Sequence, residues 1–248
     1  MPDVLGFRAK FAVIIPSTNT VVEADFNAMR PPGITIHAGR MYIEHPELAS
    51  DEMFEALLTQ IRASMTVALR DVLTCAPDYL VMGMSAETFW GGVAGNHDFE
   101  RRMTEMSGGL GVSTGATSCR VGLARLGARR IAVLSPYQPV ADAMVTRFFT
   151  EAGFDVVRFT GLRCPTALAI AAVPPDRLIR VLRDLDGPDV DAIVQVGTNL
   201  SMVSLADEAE RWLGKPVLAI NATTLWHALR ANGIEDRIPG AGVLLREH

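Results

Sequence analysis

Ala12-Val13-Ile14-Ile15-Pro16-Ser17 returns later in the chain as Ala132-Val133-Leu134-Ser135-Pro136-Tyr137, and a helical stretch rich in Val and Ala follows each copy. A short apolar run that ends in a proline and a hydroxyl-bearing residue reads as a buried strand opening into a loop. Two further units repeat in the same order. Asp78-Tyr79-Leu80-Val81-Met82-Gly83-Met84 is matched by Asp191-Ala192-Ile193-Val194-Gln195-Val196-Gly197, and Gly111-Val112-Ser113-Thr114-Gly115-Ala116-Thr117 by Pro216-Val217-Leu218-Ala219-Ile220-Asn221-Ala222-Thr223. Three strand-to-loop units in one order imply an internal duplication, and a length of 248 residues gives each copy the size of a small α/β domain.

Further strand candidates at 34–43 and 155–159 alternate with amphipathic helices, the pattern of parallel sheets covered on both faces. One helix begins after Ser50, a good N-cap, with Asp51 and Glu52 in its first turn. It carries Phe54, Leu57, Leu58, Ile61, Met65, Leu69 and Val72 on a stripe expected to face the sheet. Another opens at Pro174-Pro175-Asp176, is expected to bury Leu178, Ile179, Val181, Leu182 and Leu185, and stops at Gly187-Pro188. The expected fold is α/β, with two pseudo-symmetric flavodoxin-like half-domains, each a parallel sheet flanked by helices, and a ligand pocket between them. Residues 1–118 with 214–248 are assigned to the first half-domain and 119–213 to the second.

Composition narrows the function. A net charge of -5 with scattered basic residues gives no footprint for nucleic acid. There is no basic, apolar leader and no apolar run of roughly 18 residues, so a soluble cytoplasmic protein without a membrane partner is expected. Cys75, Cys119 and Cys164 are odd in number and contain no CxxC, which suits a reducing compartment rather than a disulfide framework or zinc site. His37 and His45 lack metal-ligand spacing, and neither GxGxxG nor GxxxxGK[ST] occurs, so no metal and no cofactor is expected. A homo-oligomer is compatible with all of this.

Ligands of open parallel sheets bind beyond the carboxyl ends of the strands. The loops there, 16–20, 84–89, 113–117, 135–137, 197–201 and 221–224, are rich in Ser, Thr and Asn. Uncharged donors at helix N-termini suit a carboxylate, although the same residue types also serve as plain N-caps.

Pro16-Ser17-Thr18-Asn19-Thr20, followed by Val21-Val22-Glu23, resembles the opening loop of maleate cis-trans isomerases and arylmalonate decarboxylases, a branch of the aspartate/glutamate racemase superfamily. Ser135-Pro136-Tyr137, Gly197-Thr198-Asn199-Leu200, and Glu210-Arg211-Trp212-Leu213-Gly214-Lys215-Pro216-Val217 leading to Trp226 extend the resemblance over nearly the whole chain. It implies half-domains that enclose a small carboxylic acid. In the racemases, as it implies, each half supplies one cysteine, and the pair exchanges a proton across the substrate. Maleate isomerases use a cysteine nucleophile, and arylmalonate decarboxylases keep only the cysteine of the second half. The repeat and the motif agree in placing these two positions at Met84 and Gly197, neither of which transfers a proton. Ala167 stands where maleate isomerases carry a substrate-binding Asn.

Ser17, Asn19, Ser85, Tyr137, Thr198 and Asn199 occupy the matching loops and are the expected substrate-binding residues. Tyr137, whose hydroxyl could donate to a carboxylate or enolate, is the leading catalytic candidate; Glu87 and His97, beside Asp98, are the candidate acids or bases. Cys119 is either a relocated thiol or a small apolar residue, and Trp90 with Phe89 either a pocket wall or interface packing. The leading expectation is an enzyme acting on a small carboxylic acid by cysteine-independent acid/base chemistry, as a lyase, decarboxylase or hydrolase. The alternatives are a non-catalytic carboxylate-binding protein and an isomerase or racemase with a relocated thiol.

Overall fold

The computed structural model describes residues 3–248. The first part of the chain runs β1 (Ala9–Pro16), α1 (Val22–Met29), β2 (Ile34–Met41), α2 (Asp51–Leu73), β3 (Tyr79–Met82), α3 (Ala86–Phe89), α4 (Gly92–Met106), β4 (Val112–Ser113) and α5 (Gly115–Arg125). The second runs β5 (Arg130–Ser135), α6 (Pro139–Glu151), β6 (Asp155–Gly161), α7 (Ala167–Ala171), α8 (Pro175–Leu185), β7 (Ala192–Gln195), α9 (Val203–Leu213), β8 (Val217–Ala219), α10 (Ile220–Ala231) and α11 (Val243–Glu247). Two four-stranded parallel sheets result, ordered β2-β1-β3-β4 and β6-β5-β7-β8, so the repeat read from the sequence is a repeat of topology. The duplicated apolar motif supplies the central strand of each sheet. From Phe11 to Ile15 and from Ile131 to Leu134 every residue is fully buried, as strands covered by helices on both faces require.

The paired aspartates of the repeat set the register between neighbouring strands. The Asp78 N–H donates to the Lys10 carbonyl at 2.8 Å while its carboxylate accepts the Lys10 N–H at 2.9 Å. Asp191 repeats this on Arg130, donating to its carbonyl at 2.7 Å and accepting the N–H groups of Arg130 at 2.7 Å and Arg129 at 3.0 Å. Each aspartate thus ties the start of β3 or β7 to β1 or β5.

α2 begins as expected, with the Ser50 hydroxyl accepting the Met53 N–H at 3.3 Å, and all seven residues of its stripe are buried. α8 buries Leu178, Leu182 and Leu185, whereas Ile179 and Val181 lie at the margin and are only half-buried. The 214–248 tail, expected to rejoin the first half-domain, is divided. β8 is an edge of the second sheet, with Val217 opposite Ile193, but α10 starts at the next residue and packs on α5, α1, β3 and β4 of the first half. Every residue from Ile220 to Trp226 is buried, as befits a helix enclosed on all sides. Among the described residues no helix is long and apolar enough to cross a membrane.

The Arg130 guanidinium and the two backbone N–H groups hold the Asp191 carboxyl well below the ordinary carboxylate range. A depressed folded-state pKa stabilises the fold above the unfolded value of about 3.9, and that contribution is lost as pH falls toward the folded value. Asp191→Asn is therefore expected to lower Tm at neutral pH, with the gap from wild type narrowing as pH drops below about 4. Thermal melts across an acid pH series check this, and a gap that widens toward acid pH is the contrary result.

Candidate active site

The loops that leave β1, β3, β5 and β7 at their carboxyl ends converge on a cavity of about 60 Å³ between the halves. That is well above the roughly 10–15 Å³ below which a cavity cannot hold even one water, so the space is open to a small ligand. Thr18, Asn19, Met84, Ser85, Tyr137, Gly197, Thr198 and Asn199 form its loop-derived side. Leu48, Phe54, Leu57 and Ile61 from the first half and Ala167 and Ile170 from the second form an apolar wall. The α2 stripe therefore serves two neighbours, because its first turns line the cavity. None of the residues lining the cavity carries a formal charge.

Most of the expected polar residues spend their side chains on the protein itself, and most of those bonds cross from one half to the other. Asn19 donates to the Thr198 hydroxyl at 3.3 Å, and that hydroxyl donates to the Gly83 carbonyl at 3.0 Å. Asn199 accepts the Thr20 N–H at 3.0 Å and donates to the Ala167 carbonyl at 2.9 Å. The Asn19 side-chain oxygen Oδ1 accepts the N–H groups of Val21 and Val22, both at 3.0 Å, at the start of α1. Ser85 stands 2.6 Å from the Tyr137 hydroxyl and accepts the Gly197 N–H at 3.2 Å. Burial pushes the Tyr137 hydroxyl above its ordinary value, so at neutral pH it is a protonated, uncharged donor. Its ring is fixed edge-on against Phe54, with centroids 5.4 Å apart.

Asn19, Ser85, Tyr137, Thr198 and Asn199 thus come together, as do Met84 and Gly197, one from each half. Ser17 does not join them: its hydroxyl accepts the Ile43 N–H at 3.0 Å and holds the chain beyond β2. Glu87 and His97 lie outside the cavity. The short helix α3 turns Glu87 away from Ser85 and into a bidentate pair with Arg62, at 2.8 and 2.9 Å. His97 is exposed on α4. Cys119 is fully buried on α5, burial pushes its thiol up, and it does not line the cavity. Phe89 packs with Phe148 and Phe149, and Trp90 lies on an outer groove beside Arg62, so neither is a cavity wall. Sequence reasoning missed the apolar wall, for which the helical stripe 54–61 was the available signal.

The arylmalonate decarboxylase family model matches residues 12–245. The chain belongs to the arylmalonate decarboxylase family. Its relatives include the maleate isomerase of Pseudomonas putida, 29% identical over 245 residues that make up 94% of this chain and 95% of that protein. The arylmalonate decarboxylase of Bordetella bronchiseptica is 30% identical over 170 residues, 67% of this chain and 70% of that one. Among solved structures, the Nocardia farcinica maleate cis-trans isomerase carrying a covalent succinylcysteine intermediate superposes with a TM-score of 0.86 at 24% identity, covering 96% of this chain and 98% of that one. A maleate isomerase from Pseudomonas putida S16 with maleate gives 0.87 at 22% identity, covering 95% and 96%. The likeness confirms the two-half α/β fold, and the family is one of enzymes.

Gly197 sits at a φ of +94°, where a side chain is strained, and a Cβ there would run into the Pro136 ring. Gly197→Ala is expected to lower unfolding stability by about 1 to 3 kcal/mol. Urea denaturation measures it, and a neutral substitution would mean that the Pro136 loop yields freely.

Proposed function

We propose that this protein is a cysteine-independent decarboxylase of a small substituted malonate-type dicarboxylic acid. The observation that carries the reading is a cavity with hydroxyl and amide donors on one side, an apolar wall on the other, and no charged residue in its lining. Met84 and Gly197, which the family resemblance sets at the cysteine positions, offer no thiol, and no side chain in the lining can act as a base to abstract a proton. Decarboxylation needs no such base. A carboxylate held against Leu48, Phe54, Leu57, Ile61 and Ile170 is poorly solvated, which favours its loss as neutral CO₂. The C–C bond breaks, the electron pair stays on the α-carbon and spreads into the retained carboxylate as an enediolate. Hydroxyl and loop donors then stabilise charge that grows in the transition state.

Tyr137 supplies the proton. A phenol kept protonated by burial is matched to a strongly basic enediolate, and the Ser85 hydroxyl at 2.6 Å steadies the phenolate until solvent returns the proton. The free cysteines suit a reducing cytoplasm, but none is needed for turnover.

Proton and carbon NMR in deuterated water with alkyl- and aryl-malonates, and with maleate for comparison, tests this. Expected are CO₂, a monocarboxylic acid bearing one deuterium at the α-carbon, unchanged maleate, and no inhibition by a thiol-alkylating reagent. Tyr137→Phe should lower kcat by about 10²- to 10⁴-fold, the usual range for a general acid. Conversion of maleate, or loss of turnover on alkylation, would sink the proposal. Saturable binding of a malonate without any CO₂ release would turn the reading to a carboxylate-binding protein, which the absence of charged residues from the lining also fits.

A further inference from the structure

Tyr137 is held at its backbone as well as at its hydroxyl, and both backbone bonds lead to one buried side chain outside the cavity lining. The Tyr137 N–H donates to the Ser135 hydroxyl at 2.9 Å, and that hydroxyl donates to one carboxylate oxygen of Asp142. The Tyr137 carbonyl accepts Arg163 Nη1 at 2.6 Å, and the same Nη1 pairs with the other carboxylate oxygen of Asp142. One carboxylate thus orients both the acceptor and the donor that hold the two peptide units flanking Tyr137. Asp142 is 7% exposed.

Two independent features indicate that the arrangement is specified. Arg163 takes a φ of +55°, uncommon for a residue with a side chain, and this sets the turn from which its guanidinium reaches Tyr137. A Cβ at position 161 would collide with both Arg163 and Asp142, so the glycine there leaves the space that the pair fills. We propose that Asp142 is a positioning residue that sets the place of the Tyr137 hydroxyl through Ser135 and Arg163, an inference that rests on reading Tyr137 as the proton donor.

Only a carboxylate meets the requirement. Both of its oxygens accept, whereas an asparagine that keeps Arg163 on its Oδ1 turns a donor toward Ser135, which reverses that bond and makes the Ser135 oxygen accept from the amide as well as from the Tyr137 N–H. A helix-stabilising carboxylate in the first turns of α6 would have no such need and would leave Tyr137 indifferent to its loss.

The experiment is fluorine NMR of protein labelled with 3-fluorotyrosine, in which Tyr42, Tyr79 and Tyr137 give three signals. The Tyr137 signal is the one missing from Tyr137→Phe. In Asp142→Asn that signal is expected to shift and broaden while the other two stay, and kcat to fall by about ten- to a hundredfold with KM little changed, the scale of a modest misplacement of a reacting group. Gly161→Ala keeps the carboxylate and guanidinium but displaces them from the strand side, so it should perturb the same signal alone and serves if Asp142→Asn does not fold. A folded variant with an unmoved Tyr137 signal, or movement of all three signals together, overturns the proposal. Full activity in Tyr137→Phe would instead remove the reading of Tyr137 as donor, and the fluorine signals would still decide what Asp142 does.

Discussion

The contact on which the site depends is the Ser85–Tyr137 hydrogen bond, made across the cleft between the halves and joined there by the Gly197 N–H. All three groups are buried, where an unpaired hydroxyl or amide costs far more than in water. Opening the cleft would strip partners from Ser85, Tyr137, Asn19, Thr198 and Asn199 together. Such a network is satisfied as a whole or not at all, so it fixes the distance between the halves and hence the size of the cavity. The same hydroxyls and amides that make the pocket polar make it rigid.

The absence of charge from the lining is the second consequence of that economy. A small dianion entering this cavity loses water and gains no counter-ion from the residues around it, so its binding relies on donors fixed in advance by the loops. Such an environment penalises concentrated charge and tolerates delocalised charge. It therefore favours a reaction in which a carboxylate becomes neutral CO₂ and the remaining charge spreads over an enediolate. It disfavours chemistry that must first create a strong base within the pocket. Burial keeps the Tyr137 hydroxyl protonated at neutral pH, so the pocket holds a proton at rest and no resting base.

Much of the fold was legible in the sequence because its duplication is physical as well as textual. Asp78 and Asp191 are repeated because each must satisfy backbone groups at the start of a neighbouring strand, and the buried central strands leave little freedom of composition. The tail was harder. The likeness of 216–223 to 111–117 marked a short strand at each place, but 214–248 was assigned whole to the first half, and no local signal says that β8 stays with the second sheet while α10 crosses as soon as it ends. Within the site, Asn19, Ser85, Tyr137, Thr198 and Asn199 could be found because strand ends fix where their loops meet. Glu87 could not be placed, since two residues within one short turn can face opposite surfaces; Ser85 faces the cavity while Glu87 meets Arg62. The apolar wall was hidden for a related reason: periodicity reports that Phe54, Leu57 and Ile61 are buried, not what they are buried against.

Gly197 couples the second half to the Ser85–Tyr137 contact. Its left-handed backbone lets the chain turn from β7 so that its N–H meets Ser85 and its carbonyl accepts the Gln195 side chain at 2.9 Å. The Pro136 ring occupies the space a side chain at 197 would need, and Pro136 immediately precedes Tyr137. The room a reactive side chain would take at the end of β7 is thus filled by the loop that brings the tyrosine in. A side chain at 197 would have to displace the Pro136 ring, and with it the loop that carries Tyr137 into the cavity, so the backbone at the end of β7 and the place of the tyrosine are set together.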